Sequence, residues 1–262
     1  MTQPSTETTE TRVRLRFCKQ GKVRFTSHRD VARMWERAVR RVRLPLAYSQ
    51  GFAPRPRLHF GLALSTGYES WAEYLDLDLD ATDGSVIDVP ALPALVSPAL
   101  PVGVDVQAAA VIDRREPSLQ QAVTRSSWRL EVAGGEAGEL ADAVERVLHA
   151  TELPVARQRK GTDATDDVAP YIRHLRVVRA TAAGVELAAE LGTQPRGLRP
   201  SELVAVLGDG FRELRACRTH QWIEHHGVER EPLPLARPDG AGVVFSQDPS
   251  APLAPHARAR AS

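Results

Sequence analysis

From residue 12 the chain alternates basic and apolar side chains, with Val13, Leu15 and Phe17 on one face and Arg12, Arg14 and Arg16 on the other. A period of two is that of a half-buried strand, here with an arginine-lined outer face. Lys19-Gln20-Gly21-Lys22 interrupts the pattern and Val23-Arg24-Phe25 resumes it, which predicts a hairpin or a bulged single strand. Ser27 then stands three residues before Asp30, and Val31, Met34, Trp35, Ala38, Val39 and Val42 recur at helical spacing. This predicts a capped amphipathic helix that Pro45 ends, with Arg29, Arg33, Arg37, Arg40 and Arg41 on its polar face.

Residues 46–49 predict a short strand, 51–56 a Gly/Pro loop and 57–64 a further strand. Leu75, Leu77 and Leu79 alternate with Asp76, Asp78 and Asp80, a strand whose outer face is acidic. A proline-interrupted apolar run over 86–100 predicts a short helix, and 102–112 another strand. The second half repeats this order: strand 128–133, helix 139–150, strands 153–157, 173–181 and 185–191, a helix opened by Arg199-Pro200-Ser201, and a last strand over 211–223. Two successive βαββαβ patterns fit an α+β chain of two tandem ferredoxin-like sandwiches with antiparallel sheets. The expected organisation is a disordered tail over 1–11, a basic module over 12–115, a linker near 113–126, a second module over 125–227, and a disordered Pro/Ala/Gly-rich tail over 228–262.

The length of 262 residues with 42% hydrophobic side chains supplies a core for each of two domains. No apolar run reaches the roughly 18 residues that span a bilayer, and the polar start has no secretory segment, so the expectation is a cytoplasmic protein without membrane contact. Cys18 and Cys217 are far apart and lack Cys or His neighbours at ligand spacing, which encodes neither a disulfide framework nor a zinc or iron–sulfur site; no cofactor and no metal are expected. Asp163, Asp166 and Asp167 lack the ligand order of a calcium loop and predict a hairpin, and His220, His225 and His226 lack partners at a zinc spacing.

Charge changes the picture more. Between Arg12 and Phe60 stand fourteen Lys/Arg and two acids, a net of +12 that leaves −11 for the rest of the chain. Such a basic patch points to a polyanion partner, unless the seven acids between Glu69 and Asp88 neutralise it within the fold. Candidate ligand-binding residues are His28, where a predicted helix N-terminus attracts phosphate, the helix arginines Arg29, Arg33, Arg37, Arg40 and Arg41, and the loop residues Tyr48, Ser49, Gln50, Phe52, Arg55 and Arg57. Phe52 offers a face for stacking on a base. The catalytic candidates are His28 and Tyr48, in acid–base roles. No RNP-type aromatic motif lies on the predicted central strands, which argues against sheet-face RNA recognition.

The combination of Phe25-Thr26-Ser27-His28-Arg29-Asp30, Glu36-Arg37-Ala38-x-Arg40-Arg41, Leu44-Pro45-Leu46-Ala47-Tyr48-Ser49-Gln50-Gly51-Phe52-x-Pro54-x-Pro56, Gly67-x-Glu69-Ser70 and Glu73-Tyr74 resembles the radical-SAM-linked protein family, a domain of unknown function found free-standing or fused C-terminal to radical SAM proteins. The resemblance is specific through Tyr74 and continues with weaker motifs to about Trp222. It implies association with a radical SAM protein. The chain lacks the CxxxCxxC motif that holds the radical SAM cluster, and it has Ala53 and Arg55 where that family commonly has Asn and His. The leading expectation is a non-catalytic partner or substrate-presenting protein that binds a phosphate-rich ligand such as RNA. The alternatives are a metal-independent ribonuclease using His28 and Tyr48, and a purely structural interaction module.

Overall fold

The computed structural model describes residues 10–80, 86–135, 137–159, 162–225 and 227–233. Its first half runs β1 (Glu10–Lys19), α1 (His28–Arg41), β2 (Leu58–Phe60), β3 (Glu69–Asp80), α2 (Leu92–Val96) and β4 (Val106–Ile112). The short helix α3 (Leu119–Ala122) leads into the second half: β5 (Val123–Ala133), α4 (Ala137–His149), the hairpin β6 (Pro154–Arg159) and β7 (Thr162–Asp167), β8 (Ile172–Ala180), β9 (Val185–Gly192), α5 (Pro200–Leu207), β10 (Arg212–His225) and β11 (Val228–Arg230).

This is a mixed α/β fold dominated by one large, mostly antiparallel sheet of nine strands. In the first half β1 lies between β4 and β3, with β2 on the far edge of β3, all antiparallel. In the second half the order is β10-β5-β9-β8, again all antiparallel. The expectation of separate antiparallel sheets is corrected: a short parallel pairing of Glu69 and Ser70 in β3 with Cys217 and Arg218 in β10 joins the halves edge to edge. Charge staples this seam, because Arg215 reaches Glu69 at 2.5 Å and Arg218 reaches Glu73 at 2.6 Å. Pairing two strand edges removes rows of backbone groups that would otherwise template association.

Each half builds its own core on one face of its strands. Val13, Leu15 and Phe17 of β1 and Leu75, Leu77 and Leu79 of β3 pack under Val31, Trp35 and Val39 of α1 and Leu92 and Val96 of α2. Trp35 is fully buried, edge-on to Phe17 at 4.9 Å between centroids. The second core gathers Trp128, Leu130 and Val132 of β5, Leu187 and Leu191 of β9, Leu140 and Val144 of α4, and Leu203 and Leu207 of α5. Both cysteines are buried and free.

Three local expectations change. Residues Gly21–Phe25 form a 3-10 turn and not a resumed strand, because Gly21 at φ +66° reverses the chain after β1. The helix α1 ends before Pro45: Arg43 takes a left-handed φ of +55°, its N–H reaches Arg40 O, and the N–H of Leu44 reaches Val39 O, the two bonds of a Schellman cap. The tails also begin further out than composition suggests. Glu10 and Thr11 belong to β1, Val228–Arg230 pair with β10, and Glu231 follows into a buried contact with Arg16 at 2.5 Å. Residues 1–9 and 234–262 lie outside the described residues, as do Lys160, Gly161 and His226.

On the polar side of the sheet, His220 stacks on Trp222 at 5.5 Å and 19°. Burial, reinforced by Arg16, Arg129 and Arg125, pushes its imidazole down to about 4. The folded chain therefore holds a neutral histidine that the unfolded chain protonates below about pH 6.5. Because the folded value is the lower one, this contribution to stability is complete above pH 6.5 and is lost as pH falls toward 4. Urea denaturation at pH 7.5 and 4.5 should show His220→Gln losing about 2–3 kcal/mol less than the wild type over that interval.

Candidate anion-binding surface

Two faces of the first half carry charge, and the cross-strand register decides how each is used. Between β1 and β3, Arg12 stands opposite Asp78 and Arg14 opposite Asp76. Arg14 donates from Nε and Nη2 to the two oxygens of Asp76 at 2.8 and 2.9 Å, and both residues are buried. Arg12 makes the same fork to Asp78 at 2.7 and 3.1 Å. Desolvation pushes the Asp78 carboxyl upward, but hydrogen bonds from Arg12 and His59 outweigh it and hold the group below the usual carboxylate range. Arg57 donates to Glu10 at 2.6 Å and lies 3.5 Å from Asp78.

These pairings answer how far the acidic strand neutralises the basic segment. Glu69, Glu73, Asp76 and Asp78 are taken by Arg215, Arg218, Arg14 and Arg12 respectively. None of those arginines belongs to α1. The carboxylates of Asp76 and Asp78 lie on the strand face away from Leu75 and Leu77, and those leucines are what α1 covers. Lys19 is also spent internally: its ammonium donates to the carbonyls of Arg24 and Thr26, and burial lowers its pKa.

The polar face of α1 remains. Ser27 caps the helix by accepting from the Asp30 N–H at 3.2 Å and donates to the Asp30 carboxylate at 2.7 Å, the main cause holding that carboxyl low, with Arg33 and Arg29 adding to it. Arg33 meets Asp30 at 3.3 Å and Arg40 meets Glu36 at 3.9 Å, both exposed pairs of the kind that contribute little. Arg37, Arg41 and Arg55 form no ion pair among the described residues.

Beside this face the 49–55 loop is closed on itself. The Ser49 N–H reaches Arg55 O at 2.9 Å, the Arg55 N–H reaches Ser49 Oγ at 3.1 Å, and Tyr48 bridges to Pro56. Ser49 thus pins the loop. Phe52 stands wholly exposed at its tip, with Gly51 supplying a φ of +133°. Arg29, Arg33 and Arg40 of α1 and Arg55 of the loop line a hollow of about 390 Å³, with Glu36 as the acid among its lining residues.

The sequence-derived candidates therefore divide. Arg29, Arg33, Arg40 and Arg55 come together on the arginine hollow; Arg37 and Arg41 stay exposed on the same helix, and Tyr48, Gln50 and Phe52 are exposed on the loop. Arg57 turns toward Glu10 and Asp78 instead. His28, exposed at the first turn of α1 and edge-on to Phe60 at 5.3 Å, lines a different hollow of about 440 Å³ with Arg12, His59, Ser118 and Gln120. Tyr48 lines neither hollow. His59 escaped notice in the sequence because a lone histidine in a three-residue strand carries no periodic signal; its register opposite Asp76 exists only after folding. In the second half, Asp166 pairs with Arg196 at 3.1 Å and the Asp167 carboxylate accepts from the N–H groups of Leu153 and Ala169, so both serve the hairpin. Among the described residues no helix is long and apolar enough to cross a membrane.

No curated protein matches the chain. Among solved structures it is similar to a Cbf5–Nop10–Gar1 complex, at 11% identity and a TM-score of 0.43 over 80% of this chain and 48% of the other. It is similar at 11% identity and a TM-score of 0.42 to an archaeal box H/ACA sRNP Nop10–Cbf5 complex and to an H/ACA RNP bound to a substrate RNA containing 2'-deoxyuridine, each over 80% of this chain and 47% of the other. The chain thus spans about half the length of the chains it matches. A family described as an uncharacterized protein conserved in bacteria, DUF2344, matches residues 12–200, and the chain belongs to it.

Proposed function

We propose that this protein is a non-catalytic, polyanion-binding partner of a radical SAM enzyme, holding a phosphate-rich ligand such as RNA on α1 and the 49–55 loop. The observation that carries the binding half is the division of charge: Glu69, Glu73, Asp76 and Asp78 pair with Arg215, Arg218, Arg14 and Arg12, while the five arginines of α1 stand against only Asp30 and Glu36 on that helix. Guanidinium groups at helical spacing beside an exposed aromatic ring suit a single-stranded backbone with stackable bases. The partner half rests on the sequence resemblance alone, together with two cysteines too few and too distant to hold the radical cluster. The strand orders of the two halves support reading each as a ferredoxin-like unit, over 12–115 and 125–227. An RNA-cleavage reading needs His28 and Tyr48 to meet at one ligand, and neither of the two hollows described above is lined by both.

Titration with a single-stranded oligoribonucleotide between 50 and 200 mM salt tests the binding half. Four arginines meeting phosphates predict a log–log slope of about −3. Affinity that is absent or independent of salt removes the polyanion reading, and co-purification of a radical SAM protein without RNA would favour the structural interaction module.

A further inference from the structure

The hollow at the N-terminal end of α1 has a different character from the arginine face. Its volume of about 440 Å³ falls in the range of small-ligand sites, and its donors come from three separate elements. From β2, His59 is oriented by a 3.3 Å contact between Nε2 and Asp78 Oδ2, which leaves Nδ1 for a ligand. From α1, His28 has no hydrogen bond to either ring nitrogen among the described residues and is held only by its edge contact with Phe60. From β1, Arg12 spends Nε and Nη2 on Asp78 and leaves Nη1 without a partner among the described residues. Ser118 and Gln120 add a hydroxyl and an amide at the rim. The two carboxylates nearby do not repel an anion strongly, because Asp76 is paired with Arg14, and Asp78 faces Arg57 at 3.5 Å as well as Arg12. The first turn of α1, a 14-residue helix with its positive end here, adds a favourable field.

We propose that this hollow is a binding subsite for a phosphate monoester, engaged by His28, His59 and Arg12. A terminal phosphate presents three free oxygens and close to two negative charges, which matches donors converging from three directions better than a phosphodiester with two free oxygens does. The chemistry is shared by a 5′-phosphorylated RNA end and a free nucleoside monophosphate. The hollow sits one residue from the arginine face: His28 lines one and Arg29 the other. A strand held along α1 thereby places its end in the imidazole pair, and that RNA-end form of the inference rests on the polyanion reading.

The test measures affinity of the full chain for three probes: a short oligoribonucleotide with a 5′-phosphate, the same oligonucleotide with a 5′-hydroxyl, and adenosine monophosphate. The 5′-phosphate should strengthen binding about tenfold, the value of one to two charge-assisted hydrogen bonds. His28→Gln/His59→Gln should abolish that difference, so that the two oligonucleotides bind alike; both side chains are exposed, and an unchanged melting curve verifies the fold. Adenosine monophosphate binding that is lost in the double variant, with no difference between the oligonucleotide ends, upholds the monoester site and assigns it to a free nucleotide. The same result with no oligonucleotide binding at low salt sinks the polyanion reading and keeps the site. Equal affinity for both ends without monophosphate binding, or a 5′-phosphate preference or monophosphate binding that survives the double variant, overturns the proposal.

Discussion

Arg14→Ala is expected to cost about 3–5 kcal/mol of folding free energy, read from urea denaturation at pH 7. The guanidinium and the Asp76 carboxylate are both almost fully buried and answer each other through two short hydrogen bonds, so removing one leaves the other charged and unsolvated. The two halves of the pair are not equivalent. Arg14 retains a second partner, Glu116 at 3.4 Å, whereas among the described residues the ion-pair partner of Asp76 is Arg14 alone. Asp76→Ala should therefore cost less than Arg14→Ala. The double variant Arg14→Leu/Asp76→Leu should recover most of the loss, because a well-packed apolar pair of similar volume often matches a buried ion pair. If Arg14→Ala and the double variant prove equally destabilised, the cost comes from poorer packing and not from a stranded carboxylate. None of the three should alter the salt slope of binding to an RNA with a 5′-hydroxyl end, since this pair lies on the face of β3 away from the arginines of α1.

That pair also marks the boundary of what the sequence reveals. Alternation places Val13, Leu15 and Phe17 on one side of β1 and Leu75, Leu77 and Leu79 on one side of β3, and both assignments hold because a one-residue slip would turn every apolar side chain to water. The helix α1 is equally legible, since its cap, its apolar spacing and its arginine face are all local. The pairing of Arg12 with Asp78 and Arg14 with Asp76 spans more than sixty residues and depends on register, which no local pattern encodes. The same holds for the seam, where Arg215 and Arg218 meet Glu69 and Glu73 across the two halves, and for Glu231, whose buried contact with Arg16 orders a stretch that composition alone marks as tail. The convergence of His28 with His59 is of this kind too. Local chemistry names the side chains, and long-range register decides which of them share a hollow.

Charge on α1 then gives the second large effect. Changing Arg33, Arg37 and Arg55 together to Gln should weaken single-stranded RNA binding about 500-fold at 50 mM salt, since each phosphate left without its arginine forfeits about 1.2 kcal/mol of counterion release at that ionic strength. The log–log salt slope should flatten by about 2 units in parallel. These side chains are exposed, and the two ion pairs on this face are solvent-screened, so the triple variant should keep its folding free energy within about 0.5 kcal/mol. The control reverses the logic: Arg215→Gln also removes one positive charge, but from the seam with Glu69, and should destabilise the protein while leaving the salt slope intact. A triple variant that binds RNA with the wild-type slope would place the polyanion surface elsewhere, whereas equal loss of slope in Arg215→Gln would mean that net charge alone, and not the α1 face, governs binding.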